Sequence, residues 1–272
     1  MEYEIKPQNK FSLGLEELWL YRELFYFFTW RDIKVKYKQT SLGFAWAILQ
    51  PLTMMLVFSV FFGKALNVPS EGIPYPVFVF SGLLLWNVFS SGLSGAANSM
   101  VANANIIKKI YFPRLIIPIS TILVSAFDFL MAFIIYIGVL IYYQFPISIL
   151  KLIILLPISL FLTVIGTFGL GCLLSALNVK YRDFRYVIPF MIQLLLFLTP
   201  VIYPISIFKQ KWLQLILSFN PMYAPIHIFR SVIIPTPMEM NFILNSISSS
   251  VILFIMGIYI FRKTEAYFAD IA

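Results

Sequence analysis

The chain has 272 residues, 60% of them hydrophobic and only 12% charged, and its 20 Lys plus Arg against 12 Asp plus Glu give a net charge of +8. Together with a mean hydropathy of +0.88, this excludes an ordinary soluble domain, which is roughly half apolar and a quarter charged. The composition fits an all-α integral membrane protein, because runs of about 20 apolar residues cross a bilayer as helices; a membrane barrel would instead show short alternating segments.

The first ten residues are polar and mixed in charge, with no secretory signal pattern. GLEELWLYRELFYFFTWR, residues 14–31, is aromatic-rich but carries Glu16, Glu17, Arg22 and Glu23. Too charged to span, it predicts an amphipathic helix lying in the membrane interface. Ser12 is a candidate cap, and Glu16 and Glu17 suit the positive end of the helix dipole. Arg31, Lys34, Lys36 and Lys38 then form a basic foot directly before an uncharged run that predicts the first span at 42–63. Stretches poor in charge place further spans at about 76–99, 115–143, 152–176, 186–204 and 240–261, six in all. Residues 1–41 are thus an interfacial helix and basic foot, 42–262 the membrane domain, and 263–272 a tail.

One apolar stretch, 212–234, does not read as a span. Pro221 and Pro225 fall near its middle and Arg230 lies inside it. A proline in a helix interior removes a hydrogen bond and clashes with the preceding turn, so the stretch predicts two short helices that dip into the membrane and return. Such backbone is tolerated only against protein or a water-filled cavity.

Charge sets the orientation. With the N-terminus inside and six spans, segments 1–41, 100–114, 177–185 and 262–272 are cytoplasmic and hold 7, 3, 3 and 2 Lys plus Arg, 15 of the 20. The positive-inside rule therefore predicts N-in and C-in. The same rule explains the net charge without nucleic acid.

Catalytic machinery is sparse. The sequence has one histidine, His227, and one cysteine, Cys172, so it predicts no histidine metal cluster and no intramolecular disulfide. No GxxxxGK[ST] phosphate loop occurs. Gly166, Gly169 and Gly171, like Gly92, Gly95, Ala96 and Ser99, read as close-packing positions between helices. Asp128 is an acid inside a span: either it bonds to a neighbouring helix, or it relays protons. Asn103 and Asn105 can cap a short helix that carries Ile107, Lys108 and Lys109 and stops at Pro113. That segment is either a basic loop that sets topology or a surface that takes a push from a partner. Aromatics make up 18% of the chain. Lipid-facing rings and interfacial belts account for most, but rings beside Pro and polar residues are candidates for a slide over which sugar rings pass.

RDIKVKYKQTSLGFAWAILQPL (31–52), LSALNVKYRDFRYVIPFMIQLLLFLTPVIYP (174–204) and FNPMYAPIHIFRSVI (219–233) resemble three ordered segments of the ABC-2-type permeases that export bacterial surface polysaccharides. The resemblance covers nearly the whole chain and is strongest to O-antigen exporters, with teichoic-acid and capsule exporters next. It implies a homodimer that binds two ATP-binding cassette ATPase subunits. No cofactor is expected in this chain, with ATP and Mg in the partner. It also implies a bacterial inner-membrane location and an undecaprenyl-diphosphate-linked glycan as substrate. Tyr37, Phe44, Trp46, Phe58, Trp86, Phe197 and Tyr203 would line the pathway, and Arg31, Lys34, Lys36 and Lys38 would receive the anionic head group. Asn103, Asn105, Ile107, Lys108 and Lys109 would couple to the ATPase. Pro204, Trp212, Pro221, Tyr223, Pro225 and Arg230 would form the gate. Two other classes remain open on the residues alone. One is a membrane enzyme acting on a lipid-linked sugar through Asp32 and Asp183; the other is a proton-driven carrier built on Asp128.

Overall fold

The computed structural model describes residues 14–38, 43–146, 148–233 and 239–265. Ser12, the start of the first predicted span at residue 42 and most of the 263–272 tail lie outside these residues. Among the described residues the secondary structure is all helical.

The N-terminal helix is in two pieces, α1 (Leu15–Leu20) and α2 (Arg22–Lys38), bent at Tyr21. The helix continues past the predicted end at residue 31, so the basic foot lies on α2 itself and not in a linker before the first span. Leu18, Phe28, Ile33 and Tyr37 are buried along it. Phe28 packs on Phe112, with ring centres 5.5 Å apart. Gly43, at φ 51°, turns the chain into the next helix.

α3 (Ala45–Phe58) runs on as a π-helical turn over Ser59–Ala65. The wider turn lets Leu66 N–H reach the carbonyl of Phe61 and seats Gly63 against Tyr75, where a Cβ would lie 2.8 Å from the ring. α4 (Tyr75–Ala102) begins after Pro74 and is apolar on nearly every side, as suits a helix buried all round. α5 (Ala104–Ile107) is a single turn. α6 (Ile116–Tyr142), α7 (Ile149–Lys180) and α11 (Met240–Glu265) are long and apolar. Among the described residues, these three, with α4 and Ala45–Ala65, are the five helices long and apolar enough to cross a membrane.

α4 is the centre, packed against α6 and α7, with α11 on α7 and with α3 and α8 (Phe184–Leu198) against its remaining faces. α7 and α11 approach closely: a Cβ on Gly257 would sit 2.0 Å from the Gly169 carbonyl oxygen, so only glycine fits. Gly171 lies close on Ala96 of α4, where a Cβ would meet its methyl at 2.7 Å. Close backbone approach of this kind is the main source of helix association where lipid removes the hydrophobic drive.

The segment predicted as a span over 186–204 departs most from expectation. α8 has 15 residues, about 22 Å of helix against a hydrocarbon core of about 30 Å. Pro200 ends it, because the residue before a proline avoids the helical region, and Thr199 is accordingly extended at φ −98°, ψ 137°. A short 3₁₀ turn over Ile205–Ile207 leads to α9 (Lys211–Ser218) and α10 (Tyr223–Arg230). Two short helices thus replace one long one in 212–234. The break falls at Pro221. Pro225 does not break the chain: it is the third residue of α10, where the backbone nitrogen has no intrahelical partner to lose.

Candidate functional site

At the Ala102 end of α4 half of the basic foot is engaged. Arg31 pairs with Asp32 at 2.7 Å, donates to Asn103 Oδ1 at 2.9 Å and lies over the Phe28 ring. Asn103 in turn donates to the Ser99 carbonyl at 2.8 Å, so this side chain joins α2 to the end of α4 and does not cap α5. Lys36 reaches Asp128 at 2.5 Å, and the Tyr37 hydroxyl also donates to Asp128. Burial first, and then the bond to Asp128, push the Tyr37 hydroxyl above the ordinary phenol range, so it stays a donor. Lys34 and Lys38 remain exposed, Lys34 resting over Trp30.

Asp128 therefore bonds to a neighbouring helix, and it stands on the wall of a cavity of about 100 Å³ between the end of α2, α3, α4 and α6. Lys36, Tyr37, Trp46, Gln50, Asn87 and Ser125 share that wall. Three of these, Gln50, Asn87 and Ser125, escaped the sequence reading. The available signal was polar residues inside otherwise apolar runs, with Asn87, Ser90, Ser91 and Ser94 at helical spacing on α4.

The turn after α4 forms an open groove of about 210 Å³ lined by Ile107, Lys108, Lys109, Ile110, Tyr111, Phe112 and Arg114. Asn105, Lys108 and Lys109 are exposed and Ile107 is buried. Tyr111 donates to Glu17 at 3.2 Å, and Phe112 meets Phe28. This turn and the N-terminal helices therefore form one packed unit.

The candidate pathway aromatics divide into two groups. Phe44, Trp46 and Phe197 are 51%, 50% and 53% exposed. Along α8, Tyr186, Phe190, Leu194 and Phe197 make one open stripe at helical spacing. On α3 and its π turn, Leu49, Leu56, Val60 and Phe61 are open as well. Phe58 and Trp86 are instead buried in the core, Trp86 against Phe89, and Tyr37 is buried beneath Phe44, with stacked rings 4.7 Å apart. Tyr203 is half-buried and donates to the Phe197 carbonyl at 2.6 Å.

At the Tyr75 end of α4, the non-helical stretch after α8 needs donors for its carbonyls, because lipid supplies none. Arg230 provides two of them. Its guanidinium donates to Pro200 O and Val201 O, each at 2.6 Å, and to Phe78 O and the Ser81 hydroxyl, each at 3.3 Å. The guanidinium carbon sits 3.7 Å from the centre of the Phe78 ring. Gly82 makes room, since a Cβ there would lie 2.8 Å from the guanidinium. Tyr75 donates to Ile202 O at 2.7 Å, and Asn220 donates to Leu198 O and the Thr199 hydroxyl. Each carbonyl from Phe197 to Ile202 except Thr199 thus has a side-chain donor; that of Thr199 accepts from Val201 N–H. α11 holds the other side: Ser246 accepts from Ala224 N–H and donates to Asn220 O, and Ser250 donates to Pro221 O. Of the candidate gate residues, Pro204, Pro221, Tyr223, Pro225 and Arg230 are buried in this assembly, while Trp212 is 62% exposed on α9.

An apolar bundle with two open aromatic faces, a basic N-terminal helix and a proline-split helical pair has counterparts among known proteins. Residues 23–234 match the ABC-2 type transporter family. The chain belongs to that family. This ABC-2 protein is a multi-pass membrane protein, and the matched region runs from α2 through α10. It is 30% identical over 241 residues to an O-antigen export system permease protein RfbA of Klebsiella pneumoniae, covering 89% of this chain and 92% of that one. It is also 30% identical over 196 residues to an RfbA of Myxococcus xanthus, covering 71% of this chain and 72% of that protein. To the polysialic acid transport protein KpsM of Escherichia coli it is 27% identical over 194 residues, 67% of this chain and 70% of that one.

Proposed function

We propose that this ABC-2 chain is the permease subunit of an ATP-driven exporter that moves a lipid-linked polysaccharide of the O-antigen type from the cytoplasm across the inner membrane. The observation that carries this reading is the 30% identity to an O-antigen export permease across 89% of the chain. The fold supplies a physical counterpart. Two copies that bring the open faces of α3 and α8 together would enclose a path bordered by Phe44, Trp46, Tyr186, Phe190 and Phe197. Aromatic rings grip the apolar faces of successive units without demanding one sequence, as base-stacking platforms do.

In this arrangement α8 and the extended 199–204 stretch together make the sixth crossing, with both chain ends in the cytosol, as the basic bias of 1–41, 100–114, 177–185 and 262–272 favours. α9 and α10 close the outer end of the path. The exposed Lys34 and Lys38 receive the diphosphate of an undecaprenyl-linked glycan, Arg31 and Lys36 being engaged within the subunit. The turn at Asn105, Lys108 and Lys109 takes the stroke of a separate ATPase, where ATP and Mg bind. Because that turn packs on Phe28 and Glu17, the stroke also reaches α1 and α2. The similarity to a polysialic acid transport protein favours a capsular glycan as the second reading.

Deleting the gene and analysing surface glycan tests the function. Loss of surface glycan with cytoplasmic accumulation of the lipid-linked chain is expected, restored by the permease only with an ATPase that hydrolyses ATP. Normal surface glycan in the deletion strain, or rescue with a hydrolysis-dead ATPase, defeats the reading.

A further inference from the structure

We propose that the cavity at Asp128 is a saccharide-binding subsite that takes the hydroxyl-bearing edge of one sugar ring; this rests on the exporter reading and names a contact point within it. The cavity of about 100 Å³ lies within the subunit, against the α3 face that carries the open aromatic rings. That is room for one ring edge and not for a whole disaccharide.

The chemistry of its wall selects hydroxyls over phosphate. The carboxylate of Asp128 is balanced by Lys36 at 2.5 Å and accepts the Tyr37 hydroxyl, so the site carries no free positive charge, and an incoming anion meets a carboxylate. Among the described residues the side-chain amides of Gln50 and Asn87, both on the wall, have no hydrogen-bond partner. Each offers one acceptor oxygen and two N–H donors, the pairing that a hydroxyl, both donor and acceptor, satisfies. The rest of the wall mixes the hydroxyls of Ser90, Ser91 and Ser125 with the apolar Pro51, Leu84, Val88 and the half-exposed Trp46. A wall that combines amides and hydroxyls with an indole and aliphatic groups complements a pyranose, whose hydroxyl edge is polar and whose C–H faces are not. Asn87 is half-buried and Gln50 exposed, so both amides are open to an entering sugar.

Two sources offer this chemistry: a sugar of the exported chain, or the head group of a membrane glycolipid. The test uses full-length permease with its ATPase subunits in nanodiscs of phosphatidylethanolamine and phosphatidylglycerol. Saturation-transfer NMR is recorded with the methyl glycosides of glucose, galactose, mannose and N-acetylglucosamine, and with inorganic phosphate as competitor. At least one glycoside is expected to show transfer, weakened about tenfold, the equivalent of one lost hydrogen bond, by Asn87→Leu. Trp46→Ala weakens it as well, and phosphate leaves it unchanged. Gln50→Leu, at an exposed position, repeats the test if Asn87→Leu does not assemble. Competition by an oligosaccharide cut from the cell's own surface glycan assigns the site to the exported chain; competition only by glucosyl-diacylglycerol in the disc assigns it to a glycolipid. No transfer from any of the four glycosides, equal transfer in the Asn87 and Gln50 variants, or displacement by phosphate overturns the subsite. Export is read separately: wild-type cells that export glycan while the purified complex shows no transfer refute the subsite alone, whereas wild-type cells that do not depend on the chain for export refute the exporter reading.

Discussion

Replacing Arg230 by methionine removes the donors on which the stretch after α8 depends while keeping most of the volume. Pro200 O and Val201 O lose bonds of 2.6 Å each. An unsatisfied buried carbonyl costs about 1–3 kcal/mol, so two cost about 2–6. Loss of the guanidinium from the Phe78 face adds about 1–2 kcal/mol. Against this, methionine avoids the desolvation penalty of a buried cation, which often repays several kcal/mol. The balance is a net loss of about 3 kcal/mol, or a melting temperature lower by about 6–12 °C at about 2–4 °C per kcal/mol. Detergent-purified protein heated in steps and followed by fluorescence-detected size exclusion reads this directly. Arg230→Lys keeps the charge but offers one compact donor group instead of a fork, and should fall between the two. A methionine variant that melts with the wild type would show that the carbonyls of Pro200 and Val201 do not need Arg230, and the account of how this non-helical stretch survives in the membrane would fail.

Gly257→Ala drives a methyl into the Gly169 carbonyl, which a Cβ would approach to 2.0 Å, and should cost about 1–3 kcal/mol or more, seen as a lower melting temperature and a poorer monodisperse yield. Trp86→Ala opens the core and should cost about 3–5 kcal/mol, lowering the amount of folded protein. Trp46→Ala and Phe197→Ala, at exposed positions, should leave that amount unchanged and reduce surface glycan measured by gel. A double-mutant cycle on Lys36→Met and Asp128→Asn should return a coupling of about 0.5–1 kcal/mol, since Lys36 is 45% exposed and screened; zero coupling would show that this ion pair adds nothing to the join between α2 and α6. Lys108→Glu with Lys109→Glu should reduce co-purification of the ATPase by about tenfold without changing the permease melting temperature.

The helices were legible where apolar runs were long. The predicted 115–143 and 240–261 spans lie beside α6 at Ile116–Tyr142 and α11 at Met240–Glu265, because long apolar runs, the first interrupted only by Asp128, mark them. The reading of 186–204 as one helix missed that Thr199 precedes Pro200. The local rule that such a residue is extended was available, but hydropathy outweighed it. Of the two prolines assigned to the 212–234 break, only Pro221 makes it, since Pro225 falls in the permissive first turn of α10. The basic foot illustrates the limit of composition. Charge counting found Arg31, Lys34, Lys36 and Lys38 but could not divide them, because Asp128 lies 92 positions from Lys36 and Asn103 lies 72 from Arg31. Arg230 read as a gate residue by position; its use as a carbonyl clamp depends on contacts up to 152 positions away, which no local pattern encodes. The Gly169–Gly257 contact was half visible: Gly169 belongs to a glycine-rich run, whereas Gly257 stands alone in an apolar helix.

Transport by the purified complex tests the central claim most directly. The permease and its ATPase are reconstituted into proteoliposomes loaded with fluorescent undecaprenyl-diphosphate glycan, and the glycan reaching the opposite leaflet is measured by its loss of protection from an added glycosidase. The account predicts crossing that requires ATP, hydrolysis-competent ATPase and this chain together. Crossing driven by a proton gradient without ATP, or by the permease alone, would contradict it.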